Sequence, residues 1–166
     1  MSRARPPLVA VLVGTDHHRF DRVLEWAAAL AASGDFRFFV QHGATPLPAG
    51  LDGSAMLGPD RLAGLLRRAD AVVTHAGPGC IMDARGHGHV PVVVPRDPSL
   101  GEHVDDHQQR FARFIARSGM VVTATDRGEL EDRLRSAVAA SRGRADWRPA
   151  PAVERFEELV ERLVHR

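Results

Sequence analysis

The chain predicts an α/β fold built on a parallel sheet with helices on both faces. Three observations carry that expectation. Short apolar runs alternate with longer segments of helical period along most of the chain. The runs Ala71-Val72-Val73 and Val92-Val93-Val94 lack the polar alternation of a half-exposed strand, as strands covered on both faces require. The length of 166 residues fits one domain, long enough to bury roughly two thirds of its unfolded surface.

Each element has its own signal. Met1 to Pro7, with its arginines and paired prolines, reads as a frayed leader. Leu8 to Val13 is the first strand. Phe20 to Ala32 follows as a helix that places Phe20, Val23, Leu24, Ala27 and Leu30 on one face, and Phe36 to Gln41 is the second strand. A short strand falls near Ser54 to Leu57. Pro59, at a first helical turn, opens a helix reaching Arg68. Then come Ala71 to Thr74 (strand), Cys80 to Arg85 (helix), Val90 to Val94 (strand), Val104 to Ser118 (helix), Met120 to Thr123 (strand) and Asp126 to Ala140 (helix). The pattern breaks at Ser141, and residues 141–151 read as a stiff, proline-bearing connector. Residues 152–166 form a last amphipathic helix with Val153, Phe156, Leu159, Val160, Leu163 and Val164 on one stripe, which closes the domain's own sheet or docks on another subunit.

Composition removes several classes of function. With 22 basic and 21 acidic residues the net charge is +1, which argues against a nucleic-acid-binding domain. Every basic residue is arginine. Without lysine there is no Walker-type phosphate lysine, no Schiff base and no pyridoxal phosphate anchor. The single Cys80 excludes an intrachain disulfide or a cysteine-based zinc cluster, so a reducing cytoplasm is the expected setting. Leu8 to Val13 is too short to span a membrane.

The densest chemistry lies between Val72 and Gln109. An apolar strand runs into His75-Ala76-Gly77-Pro78-Gly79 and then a helix start, a pattern that frees backbone N–H groups and points the positive end of a helix dipole at a phosphate. One strand later comes Glu102-His103-Val104-Asp105-Asp106-His107-Gln108, rich in groups that bond to hydroxyls. Both loops are expected on the same edge of the sheet.

Gly14-Thr15, Phe20-Asp21-Arg22, Gln41-His42-Gly43, Ala69-Asp70, His75 to Asp83, Pro91, Pro95-Arg96 and Glu102 to Gln108 occur in that order. The ordered set resembles the C-terminal domain of family 28 glycosyltransferases, most closely its free-standing versions. Those include the subunit that adds the second N-acetylglucosamine to a dolichol-linked sugar and bacterial exopolysaccharide transferase subunits. The resemblance covers roughly residues 8–140 and implies the Rossmann-like, donor-binding half of a GT-B enzyme. It implies a UDP-sugar donor and a membrane-associated partner that supplies the acceptor half, recruits the chain to the inner face of the membrane and presents a lipid-linked acceptor.

Site roles follow from the resemblance together with the chemistry. Transfer from a nucleotide sugar needs a leaving diphosphate stabilised as its charge grows. The chain has no Asp-x-Asp, so helix dipoles and backbone donors are expected to replace a metal, and neither a cofactor nor a metal is expected to be required. The diphosphate is assigned to Gly14, Thr15, Gly77, Gly79 and Cys80, whose glycines permit close approach. Asp83 matches an acidic residue that accepts hydrogen bonds from the ribose, with a favourable charge near a helix N-terminus as the plainer reading. Gln41, Gly43 and Met56 line the base end. Glu102, His103, Asp106, His107 and Gln108 are expected at the hexose, with Asp105 and Asp106 simply capping the helix as the plainer reading.

Several readings stay open. His103, Asp106 and His107 are ordinary first-row metal ligands, so zinc or manganese is the rival use of that loop. The general base is unassigned: His17 and His18 are candidates, against a base supplied by the acceptor half. His75 reads as a hydrogen-bonded structural residue, and Cys80 as a packing residue rather than a thiol activated by the helix start. The alternative function is a non-catalytic nucleotide-sugar-binding or regulatory module. A nucleotide-sugar epimerase is a weaker third reading.

Overall fold

A computed structural model describes residues 4–142, so the expected C-terminal helix and all of the connector beyond Arg142 lie outside the described residues. The described chain forms β1 (Leu8–Leu12), α1 (Asp21–Ala32), β2 (Arg37–Gln41), β3 (Asp52–Ser54), α2 (Pro59–Arg68), β4 (Ala71–Thr74), α3 (Pro78–Gly86), β5 (Val92–Val93), α4 (His107–Ala116), β6 (Val122–Thr123) and α5 (Arg127–Ser141), with a 3-10 turn at Pro98–Leu100. Every strand pairing is parallel. The order is β3-β2-β1-β4-β5-β6. It reverses between β1 and β4, so their connections leave toward opposite sides and open a crevice at the C-terminal ends of the strands. This is the Rossmann-like α/β fold that the alternation of elements implies.

Alternation along β1 produces the two core layers. Val9, Val11 and Val13 pack with Val23, Leu24 and Leu30 of α1 and with Leu130 and Leu134 of α5. Leu8, Ala10 and Leu12 pack with Leu65 and Leu66 of α2 and Ala84 of α3, and α4 adds Ala112 and Ile115 beside Ile81 and Val93. The helices therefore cover both faces. Each fully buried Val, Leu or Ile contributes about 1.5–3 kcal/mol, so these layers fix where the strand ends, and hence the site, must lie.

Some boundaries move, each for a local reason. β3 is Asp52–Ser54 rather than Ser54 to Leu57, because Phe39, Val40 and Gln41 pair with residues 52, 53 and 54, and Leu57 turns into the core instead. Helix α3 starts at Pro78, two residues before the expected start, since proline's fixed φ and missing N–H suit the first helical position. Helix α4 begins at His107, not Val104. Gly101, at φ +72°, ends the 3-10 turn, and an Asp105 Oδ1 bond from the His107 N–H holds residues 101–106 as a loop. β5 is trimmed to Val92–Val93 after Pro91, which has no N–H to donate. Of the segment expected to fray, Pro6 and Pro7 are tied to β2: their carbonyls accept from Arg37 Nε and N, each at 3.0 Å.

Candidate functional site

Three glycine turns meet at the crevice because none of them carries a Cβ. A Cβ on Gly43 would lie 2.6 Å from the Gly14 carbonyl oxygen, and one on Gly14 would lie 2.6 Å from His75 Nε2. One on Gly77 would fall inside the His75 ring contacts, closer than real Cβ atoms approach. Gly14 also needs its φ of +77°, which L side chains disfavour. The β1 and β4 turns thus close around one imidazole, and the β2 turn closes on the β1 turn.

That imidazole has a definite protonation state. Gln108 Oε1 accepts from the Arg96 N–H at 3.2 Å, so its amide nitrogen faces His75 Nδ1 at 3.0 Å and donates to it. The proton of neutral His75 therefore sits on Nε2, between Gly14 and Gly77. Burial, assisted by the charge of Arg96, lowers the His75 pKa to about 4, so the ring is a neutral donor at physiological pH. Beside it, Gly77 is the N-cap residue of α3 and offers no side-chain cap. The first bond onto this turn runs from the Ile81 N–H to the Gly77 carbonyl, leaving the Gly79 and Cys80 N–H groups without an acceptor among the described residues. Open space surrounds Gly79. Convergent unpaired N–H groups on a helix dipole form an anion site.

Arg96 braces the crevice, a role the sequence leaves unassigned although Pro95-Arg96 stands in the ordered motif set. Its side chain is 1% exposed. Nη2 donates to the Val13 carbonyl at 2.7 Å, and Nη1 donates to the carbonyls of His18 and Glu102 at 2.8 and 3.1 Å. The guanidinium lies 5.0 Å from the Phe20 ring centroid. One side chain therefore ties the loop after β1 to the loop after β5.

The loop after β5 divides into structural and available groups. The Glu102 carboxylate, expected at a sugar, is 6% exposed and spends both oxygens on Arg22, with Oε1 also accepting from the Asp97 N–H at 2.9 Å. Asp106 is the N-cap residue of α4 but makes no side-chain cap bond, pairing instead with Arg110 at 3.0 Å. His107 pairs with Asp105 at 2.9 Å. Gln108 positions His75. His103 stays at the rim, 3.9 Å from Asp16. The rival metal set of His103, Asp106 and His107 is not brought together. Asp16, His17 and His18 gather instead, with one ligand atom each within 4.8 Å of the others.

Thr15 is exposed at the β1 turn. Asp83 sits in the second turn of α3, with a carboxyl raised by burial against the opposing charge of His87, and no hydrogen bond to its carboxylate among the described residues. The Gln41 side chain is taken: Oε1 accepts from the Leu57 N–H at 3.0 Å, so it shapes the 55–57 backbone. Met56 is 64% exposed. Cys80 is no activated thiol. Burial and the charge of Asp83 push it up to about 11, against a hydrogen bond from the Gly14 backbone.

The family model of the glycosyltransferase family 28 C-terminal domain matches residues 8–163. The chain belongs to this family. The family 28 domain is 31% identical over 102 residues to the "UDP-N-acetylglucosamine transferase subunit ALG13" of Cryptococcus neoformans, covering 61% of this chain and 49% of that protein. The chain thus spans about half the length of the curated relatives it matches. Among solved structures, the glycotransferase of kitacinnamycin is 26% identical with a TM-score of 0.52, covering 96% of this chain and 39% of that one. The spinosyn forosaminyltransferase SpnP, 20% identical with a TM-score of 0.55 over 96% of this chain and 45% of its own, shares the fold. No described helix of the family 28 domain is long and apolar enough to cross a membrane.

Proposed function

We propose that this glycosyltransferase domain is the donor-binding, catalytic subunit of an inverting enzyme that moves a sugar from a UDP-sugar to a lipid-linked acceptor. The observation that carries the reading is the anion cradle: unpaired N–H groups of Gly79 and Cys80, the Nε2–H of neutral His75, and the Gly14 and Gly77 turns around them. These fixed donors face the place where a diphosphate gains charge as its bond to the anomeric carbon breaks, and they need no reorganisation to do so. A metal is not required for that step.

In this reading the rest of the donor meets the neighbouring groups. Thr15 and the Gly14 turn meet the diphosphate, Asp83 accepts from the ribose hydroxyls, and Gly43 with the 55–57 backbone and Met56 borders the base. His103, Asp106, His107 and the second amide hydrogen of Gln108 border the hexose, which Glu102 serves only by holding the loop. His75 is not the base, because its lone pair is already used by Gln108. The proton of the acceptor hydroxyl goes to the acceptor half, provided by a membrane-associated partner that also brings the domain to the inner face of the membrane. The name of the curated relative, a transferase subunit acting with UDP-N-acetylglucosamine, supports both a UDP-sugar and a partner.

Isothermal titration of UDP and UDP-sugars into the full chain tests the reading. Binding is expected to survive EDTA and to weaken roughly tenfold in Asp83→Ala, about the worth of one charged hydrogen bond. Absence of binding to every nucleotide sugar overturns it. Binding without transfer in the presence of any acceptor membrane would instead support a non-catalytic donor-binding module.

A further inference from the structure

Asp16, His17, His18 and His103 form a group that the nucleotide-sugar reading barely uses. Around the Asp16 carboxylate, Oδ1 lies 2.5 Å from His18 Nδ1 and 3.9 Å from His17 Nδ1, and Oδ2 lies 3.9 Å from His103 Nε2. The His18 and His103 rings are 5.8 Å apart, centroid to centroid. Asp16, His17 and His18 thus each place one ligand atom within 4.8 Å of the others on the loop after β1, and His103 flanks the Asp16 carboxylate from the loop after β5.

Hydrogen bonding accounts for only one of these contacts. The imidazole of His18 satisfies Asp16, while separations of 3.9 Å exceed hydrogen-bond reach. They are close to the spacing that ligands of a shared ion adopt: bonds of about 2.0–2.1 Å in a tetrahedron put neighbouring ligand atoms about 3.3 Å apart. The loop that carries the cluster is already braced. Arg96 holds the carbonyls of Val13 and His18, and Thr45 Oγ1 accepts from the Phe20 N–H at 2.8 Å, so little ordering remains to be done on binding.

The geometry points to a binding site for a divalent first-row transition ion of the zinc class, held by Asp16, His17 and His18, with His103 of the neighbouring loop as the nearest fourth donor. Three nitrogen donors and one oxygen suit zinc, nickel, copper or cobalt over magnesium or calcium, which take oxygen sets. On binding, His18 Nδ1 exchanges its bond with Asp16 for the ion and gives up any proton shared there. The nearby Arg96 charge opposes the ion, and the acidic Asp105, 3.4 Å from His103 Nδ1, offsets it. The site neighbours the anion cradle and shares only His103 with the groups proposed for the donor, so zinc binding is read out separately from UDP-sugar binding.

The test uses the tag-free full chain, titrated calorimetrically with ZnCl2 and followed by the visible absorption of CoCl2. One equivalent is expected to bind, with a tetrahedral cobalt spectrum and no response to MgCl2. Asp16→Asn and His103→Gln, which sit on different loops, are each expected to weaken binding roughly tenfold or more, while His87→Gln, on α3, leaves it unchanged. Circular dichroism checks that each variant is folded. Binding that is absent, that survives both Asp16→Asn and His103→Gln, or that falls equally in His87→Gln overturns the site. Loss of UDP binding with intact zinc binding would refute the donor reading alone.

Discussion

Replacing Arg96 by methionine should loosen two loops at once. Its guanidinium is buried, and it supplies hydrogen bonds to the carbonyls of Val13, His18 and Glu102. Methionine keeps much of the apolar contact with Phe20 but donates nothing. A buried acceptor left without its donor costs about 1–3 kcal/mol. Because both loops border solvent and can admit water, the low end applies to each of the three, and the lost cation–π contact adds a little more. The expected loss is about 3–5 kcal/mol, a large part of a typical stability of about 5–15 kcal/mol. In urea denaturation, at a slope of about 2 kcal/mol/M, the midpoint should fall by about 2 M with the slope unchanged. Arg96→Lys should fall between, since one ammonium cannot span three carbonyls fixed by a planar fork. A loss below about 1 kcal/mol in Arg96→Met would refute the argument, showing that these carbonyls are hydrated or repaired without the guanidinium.

Other outcomes follow from the same contacts. His75 titrates at about 4 when folded, against an ordinary 6.5, so between those values the unfolded chain binds more protons and stability rises with pH. No cost arises above pH 6.5. As pH falls to 4 the cost grows to about 3 kcal/mol, and a urea series over that range should show a slope that His75→Asn reduces; equal slopes would contradict it. Gly77→Ala should cost about 1–3 kcal/mol by overpacking against the His75 ring, because φ of −83° makes no objection to alanine. Gly79→Ala, with open space around it, should stay within about 0.5 kcal/mol, as thermal denaturation would report. With its pKa pushed up to about 11, Cys80 should react with iodoacetamide at pH 8 roughly a hundredfold more slowly in the folded than in the urea-unfolded chain; comparable rates would contradict its burial.

The sequence made the architecture legible where elements carry their own signal. Runs such as Ala71-Val72-Val73 cannot be placed except inside a covered parallel sheet, and Pro59 marks the start of α2 by its fixed φ. It was less legible where pairing decides. β3 shifted because its register comes from Phe39 to Gln41 on a neighbouring strand, and α4 began late because Asp105 closes a local turn. Side-chain roles were the least legible. Glu102 and Gln108 look alike in sequence as polar groups facing a sugar. One is consumed by Arg22 and the other by His75 and Arg96.

By itself, then, the chain's sequence determined the strand and helix alternation, the glycines at the crevice and the family to which the motifs belong. Those depend on local preferences: apolar period, proline and glycine backbone limits, and residue order. Only the tertiary structure decided that His75 is a neutral Nε2–H donor, that Arg96 is the brace between two loops, and that Asp16 and His103 meet. Protonation and partnership depend on burial and on which groups the sheet brings within about 3–4 Å, and β1 and β4, adjacent in space, are far apart along the chain.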